Sequence, residues 1–233
     1  MNALLIDLDD TLLDYSGGVA ECWAGACHTV ATPAGIDAVR LLAQIGTSRR
    51  WFWDDPERHR RERTDMMGAW TKIVAHALET VGPARDGLAA EIAEAFAASR
   101  WNRMDLFPGV REALHRLRGR GLPLALVTNG DKRQQRRKIE RWDLGGFFDV
   151  IVIEGEFGVG KPEERVYRHV LDALSVAPAS AWMVGDNLEW DVAAPQRLGL
   201  SAVWVDGPGR GLPASSRVRP DRIVRAFPEL VTD

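Results

Sequence analysis

Cysteine is scarce in this chain of 233 residues, which holds only Cys22 and Cys27. A disulfide-stapled scaffold is therefore excluded. If both lie on one helix, an i,i+5 pair has Cα atoms roughly 8–9 Å apart, too far to bridge. Long apolar runs are missing as well. None approaches the ~18 residues of a membrane span. The N-terminal Met1-Asn2-Ala3-Leu4-Leu5-Ile6 carries no basic leader and is interrupted by Asp7, so it does not read as a signal peptide. Nor is there an excess of charge of one sign: Lys+Arg 30 against Asp+Glu 33 leaves −3. That gives no global field to hold a polyanion, so nucleic acid is not expected as a partner. His28, His59, His76, His115 and His169 show no zinc-type spacing with one another or with the cysteines. These absences point to a soluble, cytoplasmic protein with neither membrane nor nucleic acid as partner, and no pattern specifies an oligomeric state.

What is present is ordinary globular composition, with 45% hydrophobic and 27% charged residues, enough to bury a core. Short apolar runs at Ala3–Ile6, Leu124–Val127, Val150–Ile153, Trp182–Val184 and Ala202–Val205 each end in polar or glycine residues. Runs this short and continuous suit strands buried on both faces. Helix-like stretches separate the later four, which predicts an α/β class with a Rossmann-like parallel sheet. Residues 15–104 break the alternation. There Met66, Trp70, Ile73, Val74, Ala77, Leu78 and Val81 fall at helix-face spacing, as do Leu88, Ile92, Ala95 and Phe96. Val19, Trp23, Ala26, Cys27 and Val30 mark an earlier helix, and Ile36, Val39, Leu42 and Ile45 another. Since structureless loops beyond ~12–15 residues are uncommon, the expectation is an inserted helical subdomain at 15–104 and a core made of 1–14 with 105–233.

Ligands of parallel sheets bind beyond the carboxyl ends of the strands, and four such ends carry polar groups. Asp7 and Asp9 follow the first strand. At i,i+2 they share a face, where a carboxylate pair calls for a cation or a shared proton; an Asp-rich turn is the equal alternative. Thr128-Asn129-Gly130 ends the second and makes either an anion-binding corner or a helix N-cap. After the third strand, Gly155 to Lys161 matches the first part of a phosphate-binding G-x-x-x-x-G-K loop. Pro162, however, stands where that loop needs a hydroxyl and disfavours helical geometry at Lys161. The P-loop is rejected, leaving a lysine on a glycine-rich turn that either offsets negative charge or sits exposed. After the fourth strand come Gly185-Asp186 and, five residues on, Asp191. Asp186 and Asp7 are a candidate carboxylate pair for Mg²⁺, which takes oxygen ligands.

The set Asp7-x-Asp9-x-Thr11, Thr128, Lys161-Pro162 and Gly185-Asp186-x-x-x-x-Asp191 resembles the four motifs of the haloacid dehalogenase (HAD) superfamily, in order and across nearly the whole chain. The helical insertion is similar to the cap of its phosphatase-like members. The resemblance implies Asp7 as nucleophile, forming an aspartyl-phosphate, and Asp9 as the acid and base. Thr128 and Asn129 would hold phosphoryl oxygens and Lys161 would neutralise charge. Mg²⁺ would be bound by Asp7, Asp186 and the backbone carbonyl of Asp9, with Asp191 supporting. The implied activity is a phosphatase acting on a small phosphorylated metabolite. The dehalogenases generally lack the second Asp, so Asp9 disfavours carbon–halogen hydrolysis. A phosphomutase would use the same residues, and a non-catalytic phosphate-binding protein is disfavoured by the presence of both Asp7 and Asp9. Ala193-Ala194-Pro195 departs from the family's usual Gly-Ala pair.

Other features read as structural. Arg49-Arg50-Trp51-Phe52-Trp53, with Arg58, Arg60, Arg61 and Arg63, is interspersed with Asp54, Asp55, Glu57 and Glu62 and is expected to be packing plus a solvated face. The basic stretch 132–141 is expected to be a solubilising helix face. Trp23, Trp70 and Trp182 sit on apolar stripes and are expected in the core.

Overall fold

The computed structural model describes residues 1–82 and 84–231. Contacts divide the chain into two compact units, Met1–Tyr15 with Asp105–Asp233 and Ser16–Met104.

The chain starts with β1 (Ala3–Ile6) and then enters the helical unit: α1 (Val19–Ala26), α2 (Ala38–Trp53), α3 (Pro56–Glu62), α4 (Met66–Val81) and α5 (Leu88–Arg103). Among the described residues this unit contains no strand. A π-helical turn, Cys27–Ala31, follows α1 directly. Asp37, Asp55 and Asp65 cap α2, α3 and α4, their carboxylates accepting backbone N–H groups that the first helical turn leaves unpaired. The core joins Trp23 and Cys27, Leu41 and Ile45 of α2, Ile73 and Val74 of α4, and Ile92 and Phe96 of α5. Full burial of such side chains contributes about 1.5–3 kcal/mol each. Val39 departs from the expected α2 stripe and is 80% exposed. The Asp37 cap sets the helix phase so that Leu41, Ile45, Ser48 and Phe52 form the buried face instead.

The second unit continues with α6 (Val110–Gly119), β2 (Leu124–Thr128), α7 (Lys132–Arg141), β3 (Val150–Ile153), α8 (Glu154–Phe157), α9 (Glu164–Leu174), β4 (Ala181–Gly185), α10 (Ala194–Arg197), β5 (Ser201–Val205) and β6 (Arg222–Val224). All six strands are parallel, in the order β3-β2-β1-β4-β5-β6. The five apolar runs are five of these strands. β6 was not foreseen, because Arg222 and Ile223 are exposed and leave no apolar run to read. Ala3, Leu5, Ala125 and Val127 line one sheet face with Tyr167, Val170 and Leu171 of α9. The alternate residues Leu4, Ile6 and Leu126 are equally buried, which is why these strands read as continuous hydrophobic runs. Trp182 is only partly buried, against expectation. Pro195 lies in α10, which continues directly from a π-helical turn at Leu188–Ala193.

Candidate active site

β1 is flanked by β2 and β4, so the polar residues that follow these strands emerge side by side at one sheet edge. Asp7 carries the β1–β4 ladder one step further, its N–H donating to the Val184 carbonyl at 2.9 Å. Its carboxylate is buried. Lys161 Nζ donates to Oδ1 at 2.7 Å, and Thr11 Oγ1 donates to Oδ2 at 3.0 Å. The same ammonium reaches Asp191 Oδ1 at 2.6 Å, while Asp191 Oδ2 accepts the Asn187 N–H at 3.0 Å. Lys161 is 1% exposed, so an idle surface lysine is excluded. Gly185 makes room for this: a Cβ there would lie 2.2 Å from Asp191 Cγ.

Carboxylate oxygens of Asp7, Asp186 and Asp191 lie within 4.8 Å of one another. Burial pushes Asp7 above the ordinary carboxylate range, against the pull of Lys161 and aided by repulsion from Asp191. The protein packed around Asp186 raises it too, with Asp7 and Asp191 adding to the effect, although its outer side meets solvent. Lys161 is the complement. Burial works against its charge, but Asp191 and Asp7 together hold it above the usual lysine range. When all three carboxylates are ionised, as a bound cation would favour, the single ammonium leaves two negative charges uncompensated. An all-oxygen set of that charge fits a hard divalent cation such as Mg²⁺.

The other expected residues are arranged differently from one another. The Asn129 side chain is occupied with the Lys161 backbone, accepting its N–H at 2.8 Å and donating to its carbonyl at 2.8 Å. It thus holds the lysine loop, whose Lys161–Pro162 peptide is cis. The Asp9 carboxylate lies outside the cluster. Lys138 Nζ donates to both of its oxygens at 2.8 Å, and Gln135 Nε2 to Oδ2 at 3.0 Å. Gln135 Nε2 also donates to Thr128 Oγ1 at 2.6 Å. Lys138 and Gln135 escaped the sequence reading because they belong to the basic stretch 132–141. Both are buried, so that stretch is not simply a solubilising face. Their i,i+3 spacing on one side of α7, next to the buried Ile139, was the available signal.

Comparison with known proteins places this arrangement. The family model for haloacid dehalogenase-like hydrolases matches residues 1–199. The chain is a haloacid dehalogenase-like hydrolase. Among the relatives of this hydrolase, phosphoserine phosphatase of Thermus thermophilus is 36% identical, over 95% of this chain and 94% of its own. N-acylneuraminate-9-phosphatase of Rattus norvegicus is 38% identical, over 99% and 92%. The HAD-hydrolase YfnB of Bacillus subtilis, described as bound to magnesium, superimposes with a TM-score of 0.74 at 21% identity, covering 98% of this chain and 96% of its own. The hydrolase thus has capped phosphatases as homologues and shares their six-stranded parallel sheet with a helical insertion. None of its described helices is long and apolar enough to cross a membrane.

Proposed function

We propose that this hydrolase is a Mg²⁺-dependent phosphatase that cleaves a small phosphate monoester through an aspartyl-phosphate on Asp7. Residues 1–14 with 105–233 are the catalytic core in this reading, and 15–104 the cap. The observation that carries it is the division between the two aspartates of the first motif. Asp7 sits in the carboxylate cluster against Lys161, while Asp9, two residues on, keeps its side chain outside the cluster. This division supports giving attack to one carboxylate and proton transfer to the other.

A carboxylate oxygen of Asp7 attacks phosphorus while the bond to the leaving oxygen breaks. Asp9 delivers a proton to that oxygen. A water then attacks the aspartyl-phosphate, giving its proton to Asp9, and inorganic phosphate leaves with Asp7 restored. Lys161, held by Asn129 and Asp191, neutralises charge on Asp7 and the phosphoryl group. The Thr128 hydroxyl and the backbone at Asn129 hold phosphoryl oxygens. The side chains of Asp7 and Asp186, with the Asp9 carbonyl, would hold Mg²⁺, and Asp191 supports them. The cation supplies charge neutralisation at the phosphoryl oxygens.

The phosphatase names of the relatives support a phosphorylated metabolite as substrate. The test is hydrolysis of 4-nitrophenyl phosphate with and without Mg²⁺, beside Asp7→Asn and Asp9→Asn. The expected result is metal-dependent turnover that falls by about 10²-fold or more in both variants, in Asp9→Asn because the base for hydrolysis of the aspartyl-phosphate is lost even where the leaving group needs little help. A wild type that neither turns over the ester nor binds Mg²⁺ or a phosphate analogue would overturn the phosphatase.

A further inference from the structure

Two buried side chains of α7 play no part in that mechanism, yet among the described residues they donate the side-chain hydrogen bonds that the Asp9 carboxylate accepts. Lys138 is 2% exposed, and its ammonium spans both Asp9 oxygens at 2.8 Å, with the Tyr15 ring 4.0 Å away. Gln135, also 2% exposed, stands between Asp9 and Thr128, at 3.0 and 2.6 Å. A buried lysine and a buried glutamine are costly unless their polar atoms are satisfied. Here both are satisfied by residues of the first and second motifs.

The hydrogen-bond directions are set by chemistry. Both Asp9 oxygens already accept from the Lys138 ammonium, so the Gln135 atom that faces Asp9 is its NH₂ group. That group carries two hydrogens, one for Asp9 and one for Thr128. Thr128 Oγ1 is thereby the acceptor toward Gln135, and its own hydrogen is directed elsewhere. Its other contact, to the Asn129 carbonyl, is long at 3.4 Å, so the hydrogen can be given up to a phosphoryl oxygen.

Building on the phosphatase reading, we propose that Lys138 and Gln135 are positioning residues. Lys138 fixes the carboxylate of Asp9 in the orientation from which it exchanges a proton with the leaving group. Gln135 ties that orientation to Thr128, so that the phosphate-holding hydroxyl and the proton-transfer carboxylate are set by one helix face. Helix α7 is thus part of the proton-transfer apparatus, and the lysine acts through Asp9 without touching substrate.

The test compares two esters of similar shape, phenyl phosphate, whose leaving phenolate needs a proton, and 4-nitrophenyl phosphate, whose leaving group needs little help. With Mg²⁺ present, Lys138→Met and Gln135→Met are expected to lower kcat/KM about 10-fold or more on phenyl phosphate and less than about 3-fold on 4-nitrophenyl phosphate. Gln135→Met is also expected to weaken inhibition by inorganic phosphate, since Thr128 loses the bond that orients it. Melting temperatures check that the variants are folded. If Lys138→Met is not, Lys138→Arg carries the test, since keeping the cation should keep the wild-type ratio between the two esters within about 3-fold. A wild type active on both esters, with variants that lose both equally or lose neither, overturns this inference alone. A wild type inert on both esters overturns the phosphatase reading, and this inference with it.

Discussion

In the helical unit the side-chain polar atom buried without a partner, among the described residues, is Trp23 Nε1, on a ring stacked against Phe96 at 3.6 Å. In the α/β unit Asp7, Lys138, Lys161 and Asp191 are all buried, and each is held by an opposite charge. The first unit packs apolar helix faces and tolerates one idle donor. The second concentrates charge where it is hardest to solvate and must match each group to a partner. Within the apolar core of the first, substitution can follow volume, although Ser48, Glu62, Arg63 and Arg100 are buried in that unit too. In the second it must also conserve charge and hydrogen-bond direction.

The largest effect that would break this contrast is at Lys161. Lys161→Met leaves Asp7 and Asp191 buried without their cation. The expected cost is about 3–5 kcal/mol of stability, read by denaturant unfolding, together with loss of turnover. A variant as stable as wild type would show that the charge cluster is no more demanding than the apolar core.

A middle-sized effect comes from Asp186. Asp7 and Asp186 bind protons more tightly in the folded chain than in the unfolded one, raised from 3.8 to about 7 and about 8. Their contribution to stability is therefore full below the unfolded value and is lost as pH rises through the folded values. In the absence of divalent cation, Asp186→Asn should raise the melting temperature by a few degrees at pH ~8 and have little effect near pH ~4, with Mg²⁺ stabilising the wild type more than the variant. Equal shifts at both pH values would remove the electrostatic explanation.

The smallest effect belongs to the helical unit. Trp23→Phe trades indole area for removal of the unpaired donor, and a change within about 1 kcal/mol is expected in denaturant unfolding. A substantially larger loss would reveal a partner for that N–H.

Much of this was legible in the sequence. Continuous apolar runs marked β1 to β5, since strands covered on both faces have nothing polar to alternate with, and Asp7, Thr128, Lys161 and Asp186 follow or end such runs. The helical insertion showed in the periodicity of α4 and α5. What stayed hidden shares a physical cause. Lys138 was one of six basic residues in a ten-residue stretch, and composition does not say which of six points inward. Asn129 was expected at the phosphate through its backbone; that its side-chain amide binds the backbone of Lys161 is a pairing across 32 positions that no local pattern encodes. β6 has one buried residue, too few to make a signal.

The position of β1 between β2 and β4 has a consequence for synthesis. Leu4 pairs with Leu124 on one side and with Trp182 on the other. On the ribosome the first strand therefore waits for about 120 further residues to be made before it gains one neighbour, and for about 180 before it gains both. Until then its apolar edges are open, a state that favours chaperone capture and slow, high-contact-order folding. The crowding of Asp7 against Asp186 and Asp191 is postponed by the same delay, so electrostatic repulsion enters only after the surrounding sheet is in place to bear it.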